Sequence, residues 1–246
     1  MNPEYARHYR ELYEQHWWWR AREEILLDEL KRLRSRSFPI TILDVGCGDG
    51  LFFNRLQQFG DVEGVEPTAG LVDPLGPHRN RITLAPFDGN FRPGKKYDLI
   101  LILDVLEHLD APEDALRHAL SLLKPQGIIL VTVPAFRFLW TNHDQLNEHR
   151  TRFTKDSFRS IATSAGMRIL QARYFFVWLF VAKLVVRLGE TVLRSKPRMP
   201  KVPAPGMNRF LYAVSRMEEK MTRRMSIPIG SSLLVVGTRW SKEQGI

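Results

Sequence analysis

Cysteine is nearly missing from this chain of 246 residues: Cys47 stands alone. That excludes a disulfide within the chain and points to a reducing compartment, the cytoplasm. The N-terminus, Met1-Asn2-Pro3-Glu4-Tyr5, lacks a basic stretch followed by an apolar one, so secretion is not expected. No apolar run reaches the ~18–20 residues that a membrane-crossing helix needs. Paired His or Cys at zinc-like spacing are lacking too, so no metal is expected. Internal repeats and low-complexity tracts are absent.

Positive charge, by contrast, is plentiful and unevenly placed. The formal net charge is +9, yet residues 1–170 hold 22 Lys and Arg against 23 Asp and Glu, while residues 171–246 hold 14 against 4. A basic C-terminal third suits an anionic partner; the plainer alternative is a solvated basic surface.

Hydrophobic periodicity divides the chain into residues 1–174, an N-terminal helix followed by an α/β core; 175–230, a basic and apolar helical insertion; and 231–246, a last strand returning to the core. A helix is predicted over 3–33. Strand and helix signals then alternate: strands at 41–45, 62–65, 81–85, 98–103, 128–133 and 167–174, and helices at 51–59, from Asp110 as N-cap to a stop at 124–127, and from Thr154 to Gly166. The run Asp98-Leu-Ile-Leu-Ile-Leu103 has the look of a parallel strand covered on both faces. Such alternation predicts a doubly wound sheet of about seven strands, with ligands at the carboxyl ends of the strands near the reversal of strand order.

The first strand ends in Asp44-Val45-Gly46-Cys47-Gly48-Asp49-Gly50 and runs into a helix. Glycines there let backbone approach a ligand closely, and the helix N-terminus offers free N–H groups. A dinucleotide fold would place its third glycine one position later, where Leu51 stands. Asp44 beside the loop suits a cationic, amine-bearing ligand better than a pyrophosphate. Glu66, twenty residues after Gly46 and ending the second strand, is placed to accept hydrogen bonds from ribose hydroxyls.

Together with Gly64-Val65-Glu66-Pro67, Tyr97-Asp98-Leu99-Ile100, Asp104-Val105-Leu106-Glu107-His108-Leu109 and Leu123-Lys124-Pro125-Gln126-Gly127, this loop resembles the successive motifs of class I S-adenosylmethionine-dependent methyltransferases, in the small-molecule branch of types 11 and 23. The resemblance covers residues 17–174. It implies a Rossmann-like fold, S-adenosyl-L-methionine as cofactor, Asp44, Gly46, Gly48 and Gly50 around the methionine moiety, Glu66 on the ribose, Asp88 or the backbone near Phe87 beside the adenine, and Asp104 and Val105 as the floor. The stretch Trp17-Trp18-Trp19-Arg20-Ala21-Arg22 resembles a segment covering the cofactor. Trp18 and Arg22 share a helix face, which offers Arg22 to the cofactor carboxylate; core packing and a surface arginine is the alternative.

Methyl transfer from a sulfonium is an in-line displacement, so positioning and desolvation carry much of the rate. An oxygen acceptor also calls for a general base. Glu107 and His108 follow the fourth strand, and His143, Asp144 and His149 follow the fifth, all where the site is expected. The fourth-strand motif is not the Asn/Asp-Pro-Pro-aromatic of nucleic-acid amino methylases, and no cysteine is free for base-carbon chemistry. Nucleic acid is therefore an unlikely acceptor, and a small molecule, a glycan or a lipid-linked compound is left.

Residues 175–188 are too short to span a bilayer and too apolar to lie bare in water. Lys183 and Arg187 form one polar stripe from which long side chains could snorkel. A Pro-rich basic linker follows over 194–205, and then an amphipathic helix over 207–225, with Phe210, Leu211, Val214, Met217 and Met221 on one stripe. This predicts peripheral attachment to the inner, anionic face of a membrane; the alternative packs both helices on the core as a lid or dimer contact, leaving Arg194 and Arg198 for a phosphate. A second class of function also stays open: a non-catalytic, cofactor-binding protein docking on a membrane partner.

Overall fold

The computed structural model describes residues 3–33, 40–193 and 199–240. The linker residues Arg194 and Arg198 lie outside the described residues.

Seven strands form one sheet in the order β3-β2-β1-β4-β5-β7-β6: β1 (Ile40–Val45), β2 (Gly60–Glu66), β3 (Ile82–Leu84), β4 (Tyr97–Leu103), β5 (Leu123–Pro134), β6 (Met167–Phe175) and β7 (Ser232–Arg239). The first five run parallel, and β7 is antiparallel to both β5 and β6. Strand order reverses between β1 and β4, so the carboxyl ends of these two strands open the crevice where this architecture binds ligands.

Side chains alternate across the central strands. Leu43, Ile100, Ile102, Val131 and Val133 face one core layer with Leu116 and Leu120 of α4 (Pro112–Leu122) and Phe158 and Ala162 of α6 (Lys155–Ala165). Ile42, Leu99, Leu101 and Leu130 face the other, with Ile25 and Leu26 of α2 (Trp17–Arg32) and Phe53 and Leu56 of α3 (Phe53–Leu56). The N-terminal helices therefore belong to the covering layer of the sheet.

Several local expectations are revised. The helix predicted over 3–33 is two, α1 (Pro3–Gln15) and α2, because His16 leaves the helical region and its Nδ1 accepts from Trp18 N at 3.1 Å as an N-cap. The helix at 51–59 shrinks to one turn, since Gly60 already pairs with Ile40 in the sheet. Asp110 does not cap α4; Ala111 holds that position and Asp110 pairs with Arg150. The Lys124-Pro125-Gln126-Gly127 stop lies inside β5, where it appears as a break in register against β4. Thr154 and Gly166 do bound α6: Ser157 N donates to Thr154 Oγ1, and Gly166 ends the helix at φ +80°.

Between β6 and β7 lie α7 (Val177–Leu193) and α8 (Pro205–Thr222), and both turn their polar side inward. On α8 the buried face is Asn208, Ser215 and Glu219. Asn208 Oδ1 accepts from Trp17 N and its Nδ2 donates to Gln15 O, and Glu219 receives both terminal nitrogens of buried Arg173, at 3.0 and 2.8 Å. Glu218 caps α7 by accepting from Val177 N and Trp178 N. Met207, Phe210, Met217 and Met221 are left 55–68% exposed. On α7, Phe180 is buried against Phe136 and Phe138, and Arg187 Nη1 donates to Trp140 O at 2.7 Å. Val181, Val185, Val186 and Leu188 stand exposed. The stripe of Lys183 and Arg187 thus faces the protein rather than solvent. Among the described residues no helix is long and apolar enough to cross a membrane.

Candidate active site

Glycine at position 46 is required by two facts. Its φ is +70°, and a Cβ there would lie 2.6 Å from Val105 Cγ2. Gly48, at φ +54°, has open space in the Cβ direction. The loop is tied down by Glu66, which accepts from Gly48 N at 3.0 Å and Thr68 N at 2.9 Å and is 4% exposed. Asp44, at the foot of the same loop, is equally buried. Burial pushes its carboxyl up to about 7, partly offset by Arg22 and reinforced by Glu66.

Opposite the loop, α2 supplies a wall. Arg22 Nη2 sits 2.5 Å from Asp104 Oδ2 and 3.1 Å from Thr132 Oγ1, and its guanidinium lies 5.7 Å from the Trp18 ring centroid. Arg22 thus engages the residue after β4 through Nη2, while its buried Nε has no hydrogen-bond partner among the described residues. Trp18 lines the cavity beside it with Tyr9, Tyr13 and Trp19. Arg10 pairs with Asp49 of the glycine loop, so α1 also closes over it.

The other end is built from the segments after β4 and β5. Thr141 and Asp144 form a capping box at the start of α5 (Asn142–Leu146). Asp144, fully buried, accepts from His149 Nδ1 at 2.8 Å, from Arg152 Nε and Nη2 at 2.8 Å each, and from Thr141 N at 2.8 Å. Burial alone would raise its carboxyl; the hydrogen bonds from His149 and Arg152 outweigh that and hold it well below the usual range. His108 lies edge-on to His149, ring centroids 4.8 Å apart. Burial, then the nearby His149, lowers His108 to about 4, and burial followed by Lys183 lowers His143 to about 3. Glu107 is fully buried, with neither carboxylate oxygen hydrogen-bonded. Burial and then Asp104 raise its carboxyl well above the ordinary value. One ligand atom from each of Glu107, His108 and His149 falls within 4.8 Å of the others, a spacing that also admits a divalent ion.

One cavity of about 470 Å³ joins these two ends, an ordinary size for a small-molecule site. It gathers Asp44, Gly46, Gly48, Glu66, Asp104, Val105, Trp18 and Arg22 with Glu107, His108, His143 and His149. Two of the expected residues are not in its lining. Gly50, at φ +67°, turns the loop behind it, and the Asp88 carboxylate accepts from Asn90 N in its own turn, while Phe87 reaches the cavity. Sequence reasoning did not pair Asp144 with Arg152 and read Lys183 as facing lipid. The run Glu148-His149-Arg150-Thr151-Arg152-Phe153, close after Asp144, carried the first signal; for Lys183 only its place in an apolar run hinted at a role.

The methyltransferase-domain family model of type 23 matches residues 18–172. The chain belongs to that family. Among curated relatives, the mitochondrial ubiquinone biosynthesis O-methyltransferase of Saccharomyces cerevisiae is 29% identical over 100 residues, 37% of this chain and 32% of that one. The enzyme of the same name from Azorhizobium caulinodans is 31% identical over 103 residues, 38% and 40%. The chain thus spans less than half the length of these relatives. In fold it is similar to a TehB-like SAM-dependent methyltransferase from Corynebacterium glutamicum (TM-score 0.56, 18% identity, 97% of this chain and 100% of that one) and to the CcbJ methyltransferase of Streptomyces caelestis (TM-score 0.53, 16% identity, 90% of each).

The cofactor of this family is S-adenosylmethionine, and the residues present fit it. The space over Gly48 is one that a Cβ would narrow, and Asp44 is a buried carboxylate with only Arg22 to offset it, suited to a ligand's positive charge. Glu66 stands at the end of β2, where ribose hydroxyls are recognised in such folds.

Proposed function

We propose that this chain transfers a methyl group from S-adenosylmethionine to an oxygen of a small-molecule acceptor at a membrane surface, with His149 as general base. The observation carrying the reading is the single cavity that joins the glycine loop to an aspartate-oriented histidine. S-adenosylmethionine, when bound, supplies a methyl group already activated for transfer. Asp44 and the loop amides would hold its methionine end, Glu66 its ribose, and Phe87 and Leu71 would give apolar walls to its base.

Asp144 is ionised and accepts from Nδ1 of His149. That hydrogen bond fixes the proton on Nδ1 and leaves the Nε2 lone pair for an acceptor hydroxyl, the orienting logic of a carboxylate–histidine pair. Arg152 neutralises Asp144 and fixes it from two directions, so the imidazole is held rather than merely near. Glu107, whose carboxyl burial raises, and His108, lowered by burial to about 4, add polar groups beside it. The relatives' names, O-methyltransferases of ubiquinone biosynthesis, support an oxygen acceptor.

The membrane part of the reading rests on α7 and α8, which bury polar groups while leaving a row of apolar side chains exposed. A helix that buries Asn208, Ser215 and Glu219 while exposing Phe210, Met217 and Met221 is oriented for an apolar neighbour outside the molecule. A lipid-linked acceptor would then meet the cavity at that surface.

Labelled methyl donor incubated with host lipid and polar extracts tests the activity. Label should pass to a product, and His149→Ala should slow the transfer about 10²–10⁴-fold with S-adenosylhomocysteine affinity unchanged. Turnover should survive dialysis against a chelator. Undiminished transfer by the alanine variant would remove the base from the mechanism, and loss on chelation would hand the Glu107, His108 and His149 group to a metal.

A further inference from the structure

Lys183 lies on α7, in the insertion, yet its side chain lines the same cavity as Asp104, His143, His149 and Arg152. Among the described residues its ammonium has no hydrogen-bond or ion-pair partner. The nearby carboxylates are already spoken for. Asp104 is matched by Arg22 and bonded by Thr132, and Asp144 is matched by Arg152 and bonded by His149 and Thr141. Neither Glu107 carboxylate oxygen makes a hydrogen bond among the described residues, so it does not pair with the ammonium, and Glu66 is tied to Gly48 and Thr68 at the far end. Glu148 lines the rim, where water reaches it. At this end of the cavity, among the described residues, the half-buried Lys183 ammonium is therefore a cation with no carboxylate bonded to it.

Two features argue that this is not an idle surface lysine. Burial, and after it the Arg152 charge, lowers the ammonium to about 8, a cost that an idle group would shed by turning outward. It is also held in place: Phe180, one turn before it, is buried against Phe136 and Phe138, and Arg187, one turn after it, is anchored to Trp140 O. The helix is thereby pinned with Lys183 inward, and the insertion becomes part of the acceptor pocket.

We propose that Lys183 selects an acidic acceptor, by pairing with an anionic oxygen, carboxylate or phosphate, carried by the acceptor beside the hydroxyl that is methylated. This rests on the reading that the His149 end of the cavity takes the acceptor. An ammonium lining a cavity recognises such a group as a charge-assisted hydrogen bond, and it disfavours neutral analogues because their binding covers the cation without giving it a partner. The methyl donor carries a carboxylate of its own, so the test must separate the two sources of the same chemistry.

Calorimetry on protein saturated with S-adenosylhomocysteine does so, with 3,4-dihydroxybenzoate against catechol and phenyl phosphate against phenol as matched probes. At least one acid should bind the native protein roughly tenfold or more tightly than its neutral partner. Lys183→Met should erase that preference and Lys183→Arg should keep most of it, while neutral probes bind all three proteins alike. Methionine matches the length of the lysine stem and its helix propensity, and circular dichroism with S-adenosylhomocysteine affinity reports an intact fold. An equal preference in Lys183→Met, no preference in the native protein, or no binding of either acid at millimolar concentration overturns the proposal. A drop in S-adenosylhomocysteine affinity in Lys183→Met would instead assign the lysine to the donor carboxylate. Because no turnover is read, failure of His149 as base leaves this result standing, and failure of the cofactor reading shows first as absent S-adenosylhomocysteine binding.

Discussion

Asp44 shows what burial does to a single carboxyl. Its folded-state value is raised from 3.8 to about 7. A raised acid binds its proton more tightly in the folded than in the unfolded state. Its contribution is therefore full below about pH 4 and is lost as pH rises toward 7. A ligand amine favours the ionised form, so cofactor binding should expel that proton. Affinity for S-adenosylhomocysteine should climb from pH 5 to about 7 and then level off, with proton release visible when calorimetry is repeated in buffers of different ionisation enthalpy. Asp44→Asn should flatten the curve; an unaltered slope in that variant would place the titrating group elsewhere. Gly46 makes a second test: alanine there meets Val105 at 2.6 Å with φ at +70°, a strain of about 1–3 kcal/mol, and in urea unfolding should destabilise the fold more than Gly48→Ala, which has open space. These residues were legible in the sequence because Asp44 to Gly50 are neighbours in the chain, and loop chemistry is local. The pairing of Arg22 with Asp104 was not: one sits on α2 and the other follows β4, and only the packing of helix on sheet brings them together. The same holds for Asp88, which looks like a ligand residue in order along the chain and spends its carboxylate on its own turn.

Elements were read well where periodicity is strong and poorly where a side chain overrides it. Strand β4 declared itself through an unbroken apolar run, β1 and β5 through short β-rich stretches, and α6 through Thr154 and Gly166. The break at His16 was invisible, since histidine is a weak stop and the cap depends on where its ring nitrogen points. The amphipathic stripe of α8 was legible, but periodicity alone leaves open which face packs, and the polar face is the packed one. Arg173 explains why. It is 7% exposed and needs a carboxylate, and Glu219 of α8 supplies both oxygens while Glu29 of α2 comes within 3.5 Å. Burial raises the Glu219 carboxyl, and Arg173 pulls it back toward ionisation. Removing the cation would leave Glu219 buried without its pair, whereas Glu29 keeps Arg32. Arg173→Ala should therefore destabilise the fold by about 3–5 kcal/mol, measured by urea unfolding, and Glu219→Gln should cost distinctly less because it leaves Glu29 to pair with the arginine. Equal, small losses in both would mean that α8 is held by Asn208 and Tyr212 rather than by this pair.

Across the whole molecule, the excess of positive charge after residue 170 is partly consumed inside it. Arg173 and Arg216 pair with Glu219 and Asp28, Arg187 reaches Trp140, and Lys183 enters the cavity. Lys201, Arg209, Lys220 and Arg224 are left exposed around the outward row of Met207, Phe210, Met217 and Met221. Near an anionic bilayer each such cation contributes about 1 kcal/mol, and inserting the exposed apolar side chains adds about 25 cal/mol per Å² of area buried. The sum is enough for reversible attachment without a spanning helix. Deleting the insertion would be a poor test, because α7 also walls the cavity. Phe210→Glu with Met217→Glu is a better one, as both positions are more than half exposed and touch no cofactor-binding residue. In flotation with vesicles, the native protein should rise with anionic lipid but not with neutral lipid. It should be released as salt shortens the screening length from about 10 Å at 0.1 M to about 3 Å at 1 M. The double variant should stay in the lipid-free fraction while keeping its S-adenosylhomocysteine affinity. If native and variant proteins float equally, the two helices are not the membrane surface. If neither floats, and the native protein alone sediments as a dimer, the row of methionines is covered by a second copy of the chain instead of lipid.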